Sequence, residues 1–283
     1  MKILRILFLA ALVLVASLEV RAQIQTPAPS PASKIEQAIG LSMVTVDYAR
    51  PSARGRAIFG DLVPYGQVWR TGANASTDIT FSDDVTLNGT KVPAGKYALY
   101  SIPGDNEWTI IIYKNTELWG SGGYDQADDV ARFTAKAMKV SNNYETFTLA
   151  FSDLADNKSA MLNIMWENTM VAFKVETNPE PKVMAQIKEQ VMDNPDASQN
   201  LLFAAAGYYF DNGKDLAQAH KWVAKANGDE QPKFWMVHLQ AKIEAKMGNK
   251  AEAMATAKKS MELAKAAGNM DYVRLNEKLL ESM

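Results

Sequence analysis

Residues 85–113, VTLNGTKVPAGKYALYSIPGDNEWTIIIY, decide the fold of the first half of this chain. Asn88-Gly89 stands between VTL and TKV, and both residues tolerate the positive φ that a two-residue hairpin needs. Pro93-Ala94-Gly95 then turns the chain into KYALYSI, and Pro103-Gly104 turns it again into EWTIIIY. These runs are too short and too rich in β-branched and aromatic residues for helices. The pattern extends in both directions. Upstream, Val44, Val46 and Tyr48 alternate with Thr45 and Asp47, and Ile79 and Phe81 flank Thr80. Downstream lie Val130 to Val140, YETFTLAF (144–151), AMLNIMW (160–166) and MVAFKV (170–175). About nine or ten short strands with turns between them predict an antiparallel β-sandwich or barrel over residues 34–177.

The flanks differ in kind. Lys2 and Arg5 precede an apolar run from Ile6 to Ala16, and Val20-Arg21-Ala22 offers a small-residue cleavage site. Residues 1–22 therefore read as a secretory signal peptide, with an uncleaved anchor as the alternative. The run is shorter than the ~20 residues a spanning helix needs, so no stable membrane span is expected after cleavage. Residues 23–33, QIQTPAPSPAS, read as a flexible leader. The expected location is exported, periplasmic or secreted. Without residues 1–22 the chain carries 27 basic and 31 acidic residues, a net charge of −4. That balance offers no basic field for nucleic acid. Cysteine is absent, which removes disulfides and thiolate metal sites.

Asn178-Pro179-Glu180-Pro181 opens a segment of different composition, residues 178–283, rich in alanine and methionine at helical spacing. Helices are predicted over 182–193, 198–211, 214–227, 233–247, 249–267 and 270–282, with Gly213, Gly228, Gly248 and Gly268 as C-terminal caps. Gly207 and Ala219 recur 34 residues later as Ala241 and Ala253. Small residues at that period resemble tetratricopeptide (TPR-like) helix pairs, with a generic stack of helical hairpins as the alternative.

One stretch stands apart. Residues 50–74, RPSARGRAIFGDLVPYGQVWRTGAN, hold four arginines, four glycines, Tyr65 and Trp69, with Asp61 as the single acid. Arg50, Arg54, Arg56 and Arg70 surround turn residues rather than following a strand or helix period. Guanidinium groups favour bidentate contact with carboxylate or phosphate, and Tyr65 and Trp69 offer ring faces. Asn74 closes the stretch. WGSGGYDQADD (119–129) adds Trp119 and Tyr124 on a glycine-rich connection, either a functional loop or a hairpin tip. These nine residues form the candidate ligand-binding set. The structural alternative pairs the arginines with Asp47, Asp61 or the acids of 125–129.

The run DYARPSARGRAIFGDLVPYGQVWRTGAN, with VPAGKYALYSIP, EWTIIIYK and WGSGGYDQADDV after it, resembles the domain of unknown function 2911, a family of exported proteins of Bacteroidota-type bacteria. The resemblance covers about residues 34–176. It implies that a signal peptide and a C-terminal tetratricopeptide-like region are a familiar arrangement, and it assigns no catalytic residue.

The chemistry open to the β region is narrow. The two histidines, His220 and His238, both fall in the helical segment. Histidine-based nucleophilic catalysis and histidine-rich zinc sites are thereby excluded from residues 34–177. GTKVPAGK (89–96) lacks phosphate-loop spacing, and Asp125, Asp128 and Asp129 lack the calcium-loop pattern. No cofactor and no metal is expected. The leading expectation is a non-catalytic exported binding protein. Its β region would take an anionic or glycan-like envelope ligand, and its helical repeats a protein partner. The alternatives are a glycan hydrolase using Asp47, Asp61 or Glu117 as carboxylates, and a structural scaffold.

Overall fold

The computed structural model describes residues 26–228 and 231–283. The signal-peptide reading of residues 1–22 lies outside them. The chain forms two compact units, the first ending at Asn178 and the second beginning at Pro179.

Among the described residues, the first unit holds nine strands: β1 (Ala32–Ile39), β2 (Ser42–Ala49), β3 (Thr77–Phe81), β4 (Val85–Leu87), β5 (Thr90–Val92), β6 (Gly95–Ile102), β7 (Glu107–Tyr113), β8 (Asp129–Ala155) and β9 (Ser159–Thr177). Their order is β1-β2-β3-β6-β7-β8-β9-β4-β5, and every pairing is antiparallel. The β4–β5 hairpin closes at Asn88 and Gly89, with φ of 44° and 88°. Both lie in the left-handed region that the two-residue turn requires. Asn88 also ties the tip down. Its Nδ2 donates to the Thr134 carbonyl at 3.2 Å, and its Oδ1 accepts from the Lys174 N–H at 2.8 Å.

Two expectations change. Strand β1 already begins at Ala32, inside the stretch read as leader. Its sequence, ASKIEQAI, is half polar because it is an edge strand, and the Lys34 and Glu36 charges keep such an edge from pairing with other chains. The downstream runs also merge. Residues 130–140 and 144–151 are one strand of 27 residues, β8, and residues 160–166 and 170–175 are one strand of 19, β9. The register of β8 against β9 shifts between Lys139 and Tyr144 and again before Thr148. Such irregularities bend a strand. The first part of β8 pairs with β7 through Lys136, and the remainder pairs with β9 from Ala137 onward. The strand thus passes from one layer of the sandwich to the other.

The layers enclose one core. Val44, Val46, Ile79, Leu99, Ile110 and Phe133 meet Leu149, Leu162, Ile164, Val171, Phe173 and Val175 in it. At one end an aromatic cluster fills the space: Phe59, Trp69, Trp108, Phe147 and Trp166, with Trp69 and Trp166 stacked at 6.0 Å and an interplanar angle of 19°. A second, smaller cluster lies on the other face of β6 and β7. There Tyr100, Ile111 and Tyr113 are covered by Val68, Leu118 and Tyr124.

The second unit has six helices: α1 (Glu180–Ile187, continued by a wider turn to Met192), α2 (Gln199–Asp211), α3 (Leu216–Asn227), α4 (Phe234–Lys246), α5 (Lys250–Ala266) and α6 (Met270–Glu281). Three end alike. Gly213, Gly248 and Gly268 have φ of 62°, 86° and 70°. In each case the following residue's N–H reaches back to Tyr209, Glu244 or Ala264 at 2.8–3.0 Å, the Schellman closure. Gly228 departs from this expectation. Its φ is −75°, so it extends the helical geometry instead of reversing it. Ala219, Ala241 and Ala253 are fully buried. Gly207 is looser, because a Cβ there would lie 3.8 Å from Leu239, an ordinary contact. Buried polar groups also link the helices. Glu244 takes hydrogen bonds from His220 at 3.1 Å and Gln240 at 2.7 Å, and Asn276 joins His238 at 2.8 Å to Ser260 at 2.9 Å.

Candidate functional site

The 50–76 segment connects β2 to β3 by an irregular path along one end of the sandwich. It has little ladder of its own, so its backbone groups are satisfied one at a time. Trp69 pairs with Ser101, its N–H donating at 2.8 Å and its carbonyl accepting at 2.9 Å. Thr71 is fully buried at φ 53°, and its hydroxyl lies 2.9 Å from the Ser101 hydroxyl. Gly72 lies so close to Ala49 and Thr77 that a Cβ would stand 3.2 Å from the Ala49 carbonyl oxygen.

Three of the arginines are absorbed by this path. Arg50 donates from Nε to the Phe147 carbonyl at 3.1 Å and from Nη2 to the Thr148 hydroxyl at 2.8 Å. Arg56 donates to the carbonyls of Ala53 and Ser52 at 2.9 and 2.8 Å. Arg54 reaches the Pro29 carbonyl at 3.2 Å, while its backbone N–H donates to the Glu145 carboxylate at 2.7 Å. Among the described residues, the salt bridges do not include these arginines. The alternative pairing with Asp47, Asp61 or the 125–129 acids gives way to bonds to the Thr148 hydroxyl and to backbone carbonyls, which an irregular segment leaves in excess. Asp125 caps its own turn through the Ala127 N–H at 3.0 Å, and Asp129 is taken by Tyr124 and Arg132, each at 2.8 Å.

Arg70 is different. Its Nε is buried and has no hydrogen-bond partner. The guanidinium lies against Gly120, where a Cβ would stand 3.0 Å from Nη1, and Gly120 holds φ at 78°. Tyr100 is close by. Its hydroxyl donates to the Gly120 carbonyl at 2.7 Å, and the nearby Arg70 charge opposes the rise that burial imposes on the phenol.

Arg70 and Arg56 line a cavity of about 350 Å³ together with Leu62, Val63, Trp69, Trp166 and Asn74. Leu62, Val63 and the stacked indoles are its apolar lining residues, and Ser30, Arg56, Arg70 and Asn74 are its polar ones. Ser30 lies at its edge, and the Asn74 Nδ2 donates to the Ser30 carbonyl at 3.4 Å. The segment before β1 therefore crosses the arginine-rich stretch.

The candidate residues thus separate. Arg56, Trp69, Arg70 and Asn74 share the cavity, whereas Arg50 and Arg54 hold backbone outside its lining. Trp69 is a core residue at 9 % exposure, so only its edge is available. Tyr65 is exposed, and its ring packs against Gly60. Tyr124 is half-buried, with its hydroxyl between Asp129 and Arg132, and burial followed by the Asp129 carboxylate pushes its phenol up to about 12. Trp119 stands 74 % exposed, the most open large apolar side chain among the described residues. Of the carboxylates, Asp47 faces Lys34 and Asp78 across the ladder, while Asp61 and Glu117 are exposed. The hydrogen bond and charge of Asp78 raise Lys96, with Asp47 and Glu117 adding smaller contributions.

Sequence reasoning passed over Trp166, Leu62 and Val63. Trp166 belongs to the AMLNIMW run, 97 residues from Trp69, so only the folded sandwich brings the two rings together.

The model of a family described as protein of unknown function (DUF2911) matches residues 30–175, more than half of the 283-residue chain, and the chain belongs to that family. No curated protein and no solved structure matches it.

Proposed function

We propose that this member of the family is an exported, non-catalytic binding protein whose β unit holds a small anionic ligand between Arg56 and Arg70. The buried, unpaired Nε of Arg70, a residue that lines the cavity, carries this reading. A buried donor without a partner costs about 1–3 kcal/mol, and more when it is charged. A carboxylate or phosphate oxygen supplies the missing acceptor, and an arginine can take it in a planar two-bond geometry. Residues 1–22 act as the export signal and are removed. The helical unit serves as a tetratricopeptide-like array that docks a protein partner, the common use of stacked helix pairs.

The test is thermal unfolding of the full mature chain with galacturonate, citrate or inorganic phosphate. A ligand at 100 times its Kd adds about 2.7 kcal/mol. The stabilisation is expected to vanish in Arg70→Ala and Arg70→Gln and to persist in Arg54→Ala, which lies outside the cavity. Stabilisation that survives both Arg70 variants, or its absence with all three ligand types, overturns the reading.

A further inference from the structure

Beside the arginine cavity runs a second depression, a groove of about 430 Å³. Ser33, Lys34, Asp47, Asn74, Ser76 and Asp78 line it, and it shares Ala73 and Asn74 with the cavity. Its lining is mixed. Hydroxyl, carboxylate, amide and ammonium groups are set among Ala32, Tyr48, Ala49, Ala73 and Ala75. One Asp78 oxygen holds Lys96 at 2.7 Å, and the other is buried with no hydrogen-bond partner.

Trp119 stands at the rim. Ala75, which lines the groove, forms an antiparallel bridge with Trp119. Directly opposed residues of such a bridge project to the same face, so the indole rises on the side of Ala75. Its base is fixed from both directions. The Ser76 N–H donates to the Leu118 carbonyl at 3.3 Å, and the Gly120 N–H donates to the Asn74 carbonyl at 3.2 Å. The backbone that carries the ring is therefore held, and the ring offers a large open area. A pyranose ring has the matching chemistry. Its C–H face packs on an indole, while its hydroxyl edge needs both acceptors such as Asp47 and donors such as Asn74 and Lys34.

We infer that the groove and the cavity form one extended site for an acidic saccharide. A sugar ring lies over Trp119 with its hydroxyls on the groove residues, and a carboxylate reaches Arg70 and Arg56. This deepens the reading given above and rests on it, because the carboxylate position is the cavity already assigned to an anion.

Calorimetric titration of the full mature chain tests it, with galacturonate as monomer and with tetrasaccharides of galacturonate, glucuronate and mannuronate. Neutral cellotetraose and maltotetraose complete the set. At least one acidic tetrasaccharide is expected to bind tenfold or more tighter than the monomer. Trp119→Ala, at an exposed position, should remove that gain, and Trp119→Tyr should restore part of it. Arg70→Gln should weaken monomer and tetrasaccharide alike. If no acidic tetrasaccharide exceeds the monomer, if Trp119→Ala leaves the gain intact, or if neutral tetrasaccharides bind equally well, the inference fails while anion binding stands. If monomer, citrate and phosphate all fail to bind, the anion reading fails and takes the inference with it.

Discussion

The helical unit and the 50–76 segment of the β unit face the same problem, unpaired backbone groups, and answer it differently. In the helical unit three N-termini and three C-termini are closed locally. Ser198, Asp215 and Asn269 accept from N–H groups two or three residues ahead, and Gly213, Gly248 and Gly268 reverse the chain behind. In the 50–76 segment several partners are remote. Arg50 is satisfied by residues 97 and 98 positions away, and Thr71 by a serine 30 positions away. Local closure repeats and is readable from sequence. Remote closure is particular to one fold, and it leaves room for a group such as the Arg70 Nε that the fold itself does not satisfy.

The largest effect should come from breaking the remote solution at its anchor. Trp69→Ala removes a side chain in contact with four aromatic rings, and a loss of about 3–5 kcal/mol is expected in denaturant unfolding of the β unit. Gly120→Ala comes next. It places a Cβ against Arg70 at a left-handed backbone position, at a cost of about 1–2 kcal/mol, and anion binding should weaken with it. On the helical side, Asp215→Ala deletes the acceptor for the Ala217 and Gln218 N–H groups. A loss of about 1 kcal/mol is expected, confined to the helical transition. Gly207→Ala should go the other way. The added methyl meets Leu239 at 3.8 Å without crowding, and the helix gains about 0.5–1 kcal/mol, read as a higher Tm of the helical unit.

The smallest effect is in pH. Burial holds His238 below its ordinary value of 6.5, outweighing the Asn276 hydrogen bond. The unfolded chain then binds the proton more readily, so this contribution is complete above pH 6.5 and is lost as pH falls through the folded value. The helical unit should weaken on acidification from 6.5 in urea titrations, and His238→Asn should flatten that part of the profile.

This contrast also sets what could be read in advance. The hairpin at Asn88-Gly89 and all six helices were legible, the helix ends to within about two residues, because turn and cap chemistry is local. The edge strand β1 was not, since its solvent-facing positions carry no apolar alternation. The single strand formed by 130–140 and 144–151 was read as two, because the residues between them are polar and join the ladder irregularly. At the site, the arginine-rich stretch announced itself by composition, yet nothing local distinguished Arg70 from Arg50. That difference depends on whether a carbonyl from a distant strand happens to lie within reach. Likewise Trp69 and Trp119 look alike in sequence, and only the packing sends one to the core and the other to solvent.

Strand β8 has a consequence for how the β unit comes apart. A strand that serves as the border of two layers denies either layer an independent existence, since peeling one away strips the other of an edge. Tyr48 and Thr177 stitch the opposite borders, the first to Leu149 and the second to Ile39, across 101 and 138 residues of sequence. The amides of Ile110 and of Ile164, on opposite sides of β8, should then trade hydrogen for deuterium with the same opening free energy. Contacts between such distant positions also place this unit among slow folders, because the loops must close before the pairings can form.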